Sequence, residues 1–277
     1  GKKEQPEGEI KQRKKNVRYK NEKMVLEVSE EGVLFKSYRD GKPLFLSPET
    51  SVGAQKKLGA DIIIPLDELP PYTIDPGLLR ESVDRSHRWM KRSLDAHLAD
   101  PRGQAMYAVV HGGVSRELRE HSADYLSGLP FDGYAVGGSV GKDRSELLEM
   151  LGWVMGRLPE GRPTHLLGVA DDVSVGLCAP YGVDTFDSCY ATKMARHGQL
   201  MTRQGRVKLK AGAVKREFRP PDEQCGCYTC RNFSLAYLHH LYKANEPTGT
   251  MLAVLHNVHY MNDLMADIRL KILNDEL

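Results

Sequence analysis

The sequence has no apolar run close to the roughly 20 residues that a membrane-spanning helix needs. Its first 23 residues are polar and basic, which is not typical of a signal peptide. Cysteine is scarce, with five residues in 277, and three of the five crowd between positions 225 and 230. That spacing suits a metal site in a reducing compartment better than a secreted disulfide framework. These absences together favour a cytoplasmic protein.

The net charge of +2 is close to balance, but the charge is unevenly distributed. Residues 1–23 carry nine Lys or Arg against four Glu, and a second basic stretch covers residues 193–219. Basic segments favour phosphate backbones through the release of counterions. The alternatives are a solvated tail for the first stretch and an ordinary surface loop for the second.

The amino-terminal segment also lacks apolar periodicity, which predicts disorder or an atypical structure for residues 1–29. A first residue that is Gly rather than Met suggests an incomplete sequence. The folded domain is expected to cover residues 30–277.

The next residues carry signals for a β-turn and for the start of a helix. Two alternating runs, 33–37 and 43–47, surround Arg39-Asp40-Gly41 and predict a β-hairpin. Ser47 and Pro48 then suit the cap and the first turn of a helix.

From residue 62 onward, short apolar runs alternate with amphipathic stretches. The runs predicted as strands cover residues 62–66, 106–110, 133–136, 165–169 and 183–186. The stretches predicted as helices between them include residues 78–98, 115–126 and 145–158. Alternation of this kind predicts an α/β fold with a parallel sheet.

The unit length of about 30 residues fits a (β/α)8 TIM-type barrel, although a doubly wound sheet has the same alternation. Both architectures place functional residues at the carboxyl ends of the strands, where polar or glycine residues follow each run here. The prediction of where the site lies is therefore independent of that choice.

The sharpest local motif is Cys225-Gly226-Cys227-Tyr228-Thr229-Cys230. Three thiols within six residues can converge on one Zn2+ ion, which prefers four thiolate or imidazole ligands. The candidates for the fourth ligand are His239, His240, His256 and His259, and the residues alone favour none of them. A closed set of four ligands indicates a structural role, and the alternative is three free thiols.

At this point the residues resemble the tRNA-guanine transglycosylase (queuine tRNA-ribosyltransferase) family from about residue 30 onward. The resemblance is carried by several blocks in order, namely Leu46-Ser47-Pro48-Glu49, Phe131-Asp132-Gly133-Tyr134-Ala135-Val136-Gly137-Gly138, Val183-Asp184-Thr185-Phe186-Asp187, Ala195-Arg196-His197-Gly198 and the cysteine motif. It implies a TIM-type barrel, incomplete at its amino terminus, with a zinc-binding subdomain at about residues 200–277. It implies His256 as the fourth zinc ligand.

The resemblance also implies a reaction and its residues. The substrate would be wobble guanine in tRNAs with GUN anticodons, exchanged for queuine or its precursor preQ1. Asp187 matches the family nucleophile, which holds the ribose in a covalent intermediate as retaining glycosidases do. The residues matched to base binding are Asp67, His111, Gly137 and Gly138. The residues matched to RNA binding are Thr192, Lys193 and Arg196.

The structural alternatives are a helix cap or ion pair for Asp187, a simple tight turn for the glycines and solvated charge for the basic residues.

Three departures from the family pattern bear on the function. His111 replaces a family Gln, and imidazole cannot copy the paired hydrogen bonds of an amide. The loop after Gly138 is one residue shorter than in common relatives. The family's Asp-Ser-Gly-Gly block, which carries a second essential acid, is absent upstream of residue 30.

Two functions therefore remain open. The chain is an enzyme whose sequence lacks its amino-terminal part, or it is a catalytically impaired, zinc- and tRNA-binding partner subunit of such an enzyme. The retention of Asp187 and Asp67 favours the enzyme, whereas the absent block favours the partner. The resemblance implies a homodimer or a heterodimer with a related subunit.

Overall fold

The computed structural model describes residues 24–277, so the prediction for residues 1–23 lies outside the described part. The described chain divides into two units. The first comprises residues 24–167 and 181–185, and the second comprises residues 168–180 and 186–277.

The first unit begins with a three-stranded antiparallel sheet. Its strands are β1 (Val25–Val28), β2 (Val33–Lys36) and β3 (Pro43–Leu46), hydrogen-bonded in that order. The predicted hairpin is thereby confirmed as β2 and β3. Strand β1 was not predicted.

Helix α1 (Pro48–Leu58) starts where the sequence predicted. The Ser47 side chain accepts a hydrogen bond from the Thr50 backbone, and the Thr50 side chain caps the Ser47 N–H in return. This reciprocal cap satisfies two amide groups at the helix start. Gly59 ends the helix in the left-handed conformation, with φ of 74°.

The rest of the first unit is built from alternating strands and helices. In chain order these are β4 (Ile62–Ile63), α2 (Pro76–Leu98), β5 (Ala105–Val110), α3 (Arg116–Ser127), β6 (Gly133–Val136), α4 (Arg144–Val154), β7 (Thr164–Leu166) and β8 (Thr185–Phe186), whose last residue falls in the second unit.

These five strands form one sheet in the order β4-β5-β6-β7-β8, and the first three pairings are parallel. The predicted α/β class is therefore confirmed. Each strand lies beside the next one in the chain, with no reversal of strand order among the five. A doubly wound sheet reverses at a switch point, so the observed order favours the singly wound arrangement of a TIM-type barrel.

Several strands are shorter than predicted. β4 ends at Ile63 rather than at residue 66, because Pro65 has no N–H to donate to a neighbouring strand. β7 ends at Leu166, two residues before Gly168, which adopts φ of 76°. The residues that follow β4 and β7, which include Asp67 and Gly168, therefore belong to connecting loops, whereas β5 and β6 end where predicted.

The core of the first unit lies around the two most buried strands. Every residue of β6 and nearly every residue of β5 is buried, as expected for a parallel sheet covered by helices. Helix α2 contributes Trp89, Met90 and Leu94 to buried positions, and α4 contributes Leu147, Met150 and Leu151.

The second unit contains five α-helices, a small hairpin and a short 3-10 helix (Gly212–Val214). Its elements are α5 (Asp172–Cys178), α6 (Tyr190–Arg196), β9 (Gln199–Thr202), β10 (Gly205–Lys208), α7 (Tyr228–Asn232), α8 (Leu235–Ala244) and α9 (Pro247–Leu273). Strands β9 and β10 are antiparallel, and Thr202 pairs with Gly205 across a two-residue turn. The basic stretch at 193–219 thus contains the end of a helix and a hairpin.

The apolar side chains of helix α9 are only partly buried. Leu252 and Ile268 are buried, whereas Leu255 is 46% exposed. No helix among residues 24–277 combines the length and the apolar composition required to cross a membrane.

Candidate active site and metal centre

The metal centre forms in the second unit, where the cysteine motif meets α9. Cys227 caps α7 and Cys230 lies within it, so this short helix fixes the spacing of two thiols. The three Sγ atoms and Nδ1 of His256 all lie within 4.8 Å of one another. Of the four candidate histidines, His256 is grouped with all three thiols, whereas His259 is grouped with Cys225 and Asp263.

The distances within this cluster fit a tetrahedral ion. Nδ1 of His256 lies 3.7 Å from Cys225 Sγ, 3.5 Å from Cys227 Sγ and 3.3 Å from Cys230 Sγ. Zinc bonds of about 2.3 Å to sulfur and 2.0–2.1 Å to nitrogen would place such atoms about 3.5 Å apart in a tetrahedron. The cluster can therefore hold a metal ion.

The three thiols of the cluster differ in how strongly they hold a proton. The Cys230 thiol donates a hydrogen bond to Cys227, which lowers the pKa of Cys227 and raises the pKa of Cys230. Burial raises the pKa of Cys225. Cys227 therefore favours the thiolate form, whereas Cys225 and Cys230 favour the protonated form, and a bound metal ion would displace their protons.

A second layer of polar contacts holds the cluster in place. The adjacent Asn257 accepts a hydrogen bond from the Met201 N–H at 2.9 Å and donates to the carbonyls of Ala191 and Gln199, both at 3.0 Å. Buried Asp222 accepts from the N–H groups of Arg203 and Gln224. Sequence reasoning missed both roles, because an Asn or Asp beside a motif gives no signal of its distant partners.

The four predicted base-binding residues all lie in the first unit. Asp67 follows β4, His111 follows β5 and the Gly137-Gly138 step follows β6. Asp67 Oδ2 lies 2.9 Å from His111 Nε2, but the two atoms are out of line for a hydrogen bond. The imidazole is buried, and its Nε2 makes no hydrogen bond within residues 24–277.

The glycine pair allows close approach of the neighbouring loops. A side chain on Gly137 would come within 2.8 Å of Val109 and Leu167, so the position has no room for one. Gly138 has φ of 75°, which glycine adopts without strain, and a Cβ there would lie 3.3 Å from Nδ1 of His111. The end of β6 is therefore packed directly against His111.

The loop that carries Asp67 is tied to helix α2. The Glu68 N–H donates to Ser86 Oγ at 3.0 Å, and the Glu68 carboxylate lies 2.6 Å from Arg85. These contacts fix the backbone next to Asp67, whose side chain is 30% exposed and accessible to a ligand.

Asp187 lies in the second unit, directly after β8. Its carboxylate is exposed, and its Oδ1 accepts a hydrogen bond from the Gly168 N–H at 2.8 Å. The carboxylate is thus oriented by a backbone amide and open to solvent.

The predicted RNA-binding residues lie on α6. Lys193 and Arg196 are exposed and three positions apart, so they share one face of the helix. Thr192 accepts a hydrogen bond from Arg196 Nη1 at 3.3 Å. The opposite face, with Ala191 and Ala195, is buried.

The fold and the site define an α/β protein with a sequentially ordered parallel sheet and a Cys3His cluster that can hold a metal ion. The family model described as queuine tRNA-ribosyltransferase matches residues 17–277 of the chain. The chain belongs to this family.

Curated relatives named queuine tRNA-ribosyltransferase are similar over most of the chain. The relative from Protochlamydia amoebophila is 52% identical over 251 residues, covering 91% of this chain and 65% of the relative. Those from Chlamydia felis and Chlamydia caviae are each 48% identical, covering 93% and 97% of this chain and 70% and 72% of the relatives. The chain thus spans about two thirds of the length of these relatives.

Proposed function

We propose that the protein is a tRNA-guanine transglycosylase that exchanges wobble guanine in GUN-anticodon tRNAs for queuine or preQ1. The observation that carries this proposal is the grouping of Asp67, His111 and Gly138 after three consecutive strands of a family member. In this grouping the Asp67 carboxylate and the Gly138 backbone can both be approached by a purine base.

The base would be read by complementary donors and acceptors. The Asp67 carboxylate accepts hydrogen bonds from the N–H edge of a guanine-like base, and the N–H of Gly138 donates to its carbonyl. His111, which stands in place of the family Gln, offers one donor or one acceptor from each nitrogen rather than a paired amide. We therefore expect base recognition to differ from that of relatives that carry Gln.

Asp187 would act as the nucleophile. One carboxylate oxygen forms a bond to C1′ of the ribose as the C1′–N9 bond breaks, and guanine leaves after N9 receives a proton. The incoming base then attacks C1′ through its own ring nitrogen, loses a proton and releases the carboxylate. Two displacements at C1′ retain its configuration. The acid that the family uses for the proton belongs to the Asp-Ser-Gly-Gly block.

Cys225, Cys227, Cys230 and His256 would bind Zn2+ as a structural ion. Four protein ligands leave no open position for substrate, so the ion stabilises the fold and takes no part in the exchange. By joining α7 to α9 beside β9, it fixes the segment next to α6. The exposed cations Lys193 and Arg196 on α6, with Thr192, would contact anticodon phosphates.

A second function is a zinc- and tRNA-binding partner subunit with impaired catalysis. What supports it is His111 in place of the family Gln, since imidazole cannot copy the paired hydrogen bonds of an amide. We propose a cytoplasmic homodimer for the enzyme and a heterodimer with a related subunit for the partner.

Incorporation of radiolabelled guanine into a GUN-anticodon tRNA tests the two functions. We expect exchange from the chain extended with the amino-terminal part of the Protochlamydia amoebophila relative, and little or none from the chain alone. A tRNA whose wobble guanine is replaced by adenine is the control and should take up no label. Failure of the extended, zinc-loaded protein to exchange guanine, with tRNA binding intact, would favour the partner subunit.

A further inference from the structure

Helix α3 carries a charged side chain in the centre of the first unit. The Arg119 side chain is fully enclosed, and burial lowers its pKa to about 9, so the guanidinium stays positive at neutral pH. No carboxylate pairs with it within residues 24–277. A buried charge without a counter-ion is costly and persists only where its donors are satisfied.

Four backbone carbonyls accept hydrogen bonds from Arg119, which occupies four of its five N–H donors. Nε donates to Gly113 O at 2.8 Å, and Nη2 donates to Ser139 O at 2.7 Å. Nη1 donates to Val110 O at 2.9 Å and to Gly137 O at 2.8 Å. These carbonyls belong to the ends of β5 and β6, the two segments that hold His111 and Gly138.

The bond to Gly137 O fixes the direction of the next amide. In a trans peptide the carbonyl and the following N–H point in opposite directions. The N–H of Gly138 therefore points away from the guanidinium, and it makes no hydrogen bond within residues 24–277. A cation bound to the carbonyl oxygen also polarises the peptide and strengthens its N–H as a donor.

We propose that Arg119 is a positioning residue that orients and polarises the Gly138 N–H for the carbonyl of the base. This inference rests on the proposed function, in which that N–H reads the 6-oxo group of guanine. A preorganised donor of this kind is effective because it needs no reorientation when the ligand arrives.

Arg119→Lys tests the inference, because one ammonium nitrogen cannot span carbonyls on two loops. Arg116→Lys is the matched control, since Arg116 lies on the same helix, is exposed and pairs with Glu120. A second variant, Arg119→Gln, retains a planar pair of donors and replaces Arg119→Lys if the latter does not fold. Thermal unfolding and circular dichroism establish that each protein is folded.

Comparing the binding of two bases distinguishes a loss of Gly138 positioning from a general loss of the binding site. The fluorescence of 2-aminopurine, which lacks the 6-oxo group, reports its binding directly, and guanine is measured by competition. We expect Arg119→Lys to weaken guanine binding about tenfold or more, the effect of losing a good hydrogen bond, and to change 2-aminopurine binding by less than about twofold. Equal weakening of both bases, or no weakening of guanine, would overturn the inference.

Amide hydrogen exchange provides a second test, which does not depend on the binding of a base. Amides in segments 111–115 and 137–142 should exchange faster in Arg119→Lys than in the wild type or Arg116→Lys. If the wild type binds neither base, the proposed function fails. The hydrogen-exchange measurement then decides by itself whether Arg119 orders these two segments. Unchanged exchange in both segments would overturn the positioning role.

Discussion

Nε2 of His256 lies 2.8 Å from the carbonyl oxygen of Met201. A carbonyl only accepts, so this contact places the imidazole proton on Nε2 and leaves Nδ1 with a free lone pair toward the three thiols. Metal-bound histidines commonly have such a carbonyl partner. The backbone of β9 therefore sets the tautomer that a metal ion requires.

Removal of one ligand should release the metal and destabilise the second unit. We expect about one zinc ion per wild-type chain by mass spectrometry, and less than about a tenth of that in His256→Ala or Cys230→Ser. The midpoint of thermal unfolding should fall by at least about 5 °C, because a buried cluster loses its central bonds.

The control is Cys189→Ser, since Cys189 is exposed and distant from the cluster in sequence. It should keep both its zinc and its unfolding midpoint. Full zinc content in His256→Ala would contradict the assignment of the fourth ligand.

Buried His87 should make the first unit sensitive to mild acid. Burial lowers the pKa of His87 to about 4 from its ordinary value of 6.5, while its Nε2 lies 2.9 Å from Ser122 Oγ and its ring stacks on Tyr125. Between pH 6.5 and about 4, His87 is therefore protonated in the unfolded chain but neutral in the folded protein. The resulting stability is fully present above pH 6.5 and is lost as the pH falls to about 4.

The upper limit of this loss is about 3 kcal/mol, from a pKa difference of about 2.5. His87→Phe keeps a ring for Tyr125 and cannot titrate. Urea unfolding between pH 7 and 4 should show a smaller decrease in the free energy of unfolding for the variant than for the wild type. Equal decreases in the two proteins would eliminate His87 as the cause.

The sequence predicted the parallel sheet and the ligand cluster because both leave local patterns. Apolar runs end at polar steps such as His111, and three thiols lie within six residues. The hairpin β9–β10 was missed, because Gln199–Thr202 and Gly205–Lys208 are too short and too mixed to show alternation. Such segments become strands through contacts with distant residues, among them Asn257.

Arg119 is a clearer example of a position that local sequence patterns do not predict. Its position in Arg116–Ser127 resembles that of an exposed helix cation, yet it is fully buried. The carbonyls that satisfy it come from two separate loops, which no local pattern relates to it. Similarly, the sequence could rank four histidines as ligands only through the family resemblance, whereas the folded chain brings His256 to the thiols.

The cationic face of α6 should contribute to tRNA binding through phosphate contacts. For the double variant Lys193→Ala with Arg196→Ala, we expect weaker tRNA binding and a shallower salt dependence. Two lost contacts should reduce the slope of log K against log salt by about 1.4–1.8. Filter binding of a GUN-anticodon tRNA at several salt concentrations measures this slope.

Lys57→Ala, at an exposed position near the end of α1, is the control for a general loss of positive charge. Its slope should stay close to that of the wild type. If the double variant and the control behave alike, the face of α6 is only solvated charge.

Asp187→Asn should abolish covalent capture of the ribose while preserving the local structure. Asn keeps a side-chain oxygen that can accept the hydrogen bond from Gly168, which Asp187 accepts at 2.8 Å, but its amide is not a nucleophile. In the extended protein, we expect the RNA adduct on denaturing gels to disappear and guanine exchange to fall at least about a thousandfold. Asp267→Asn, which changes an exposed acid on α9, should retain both adduct and exchange. An adduct that persists in Asp187→Asn would show that another group attacks C1′.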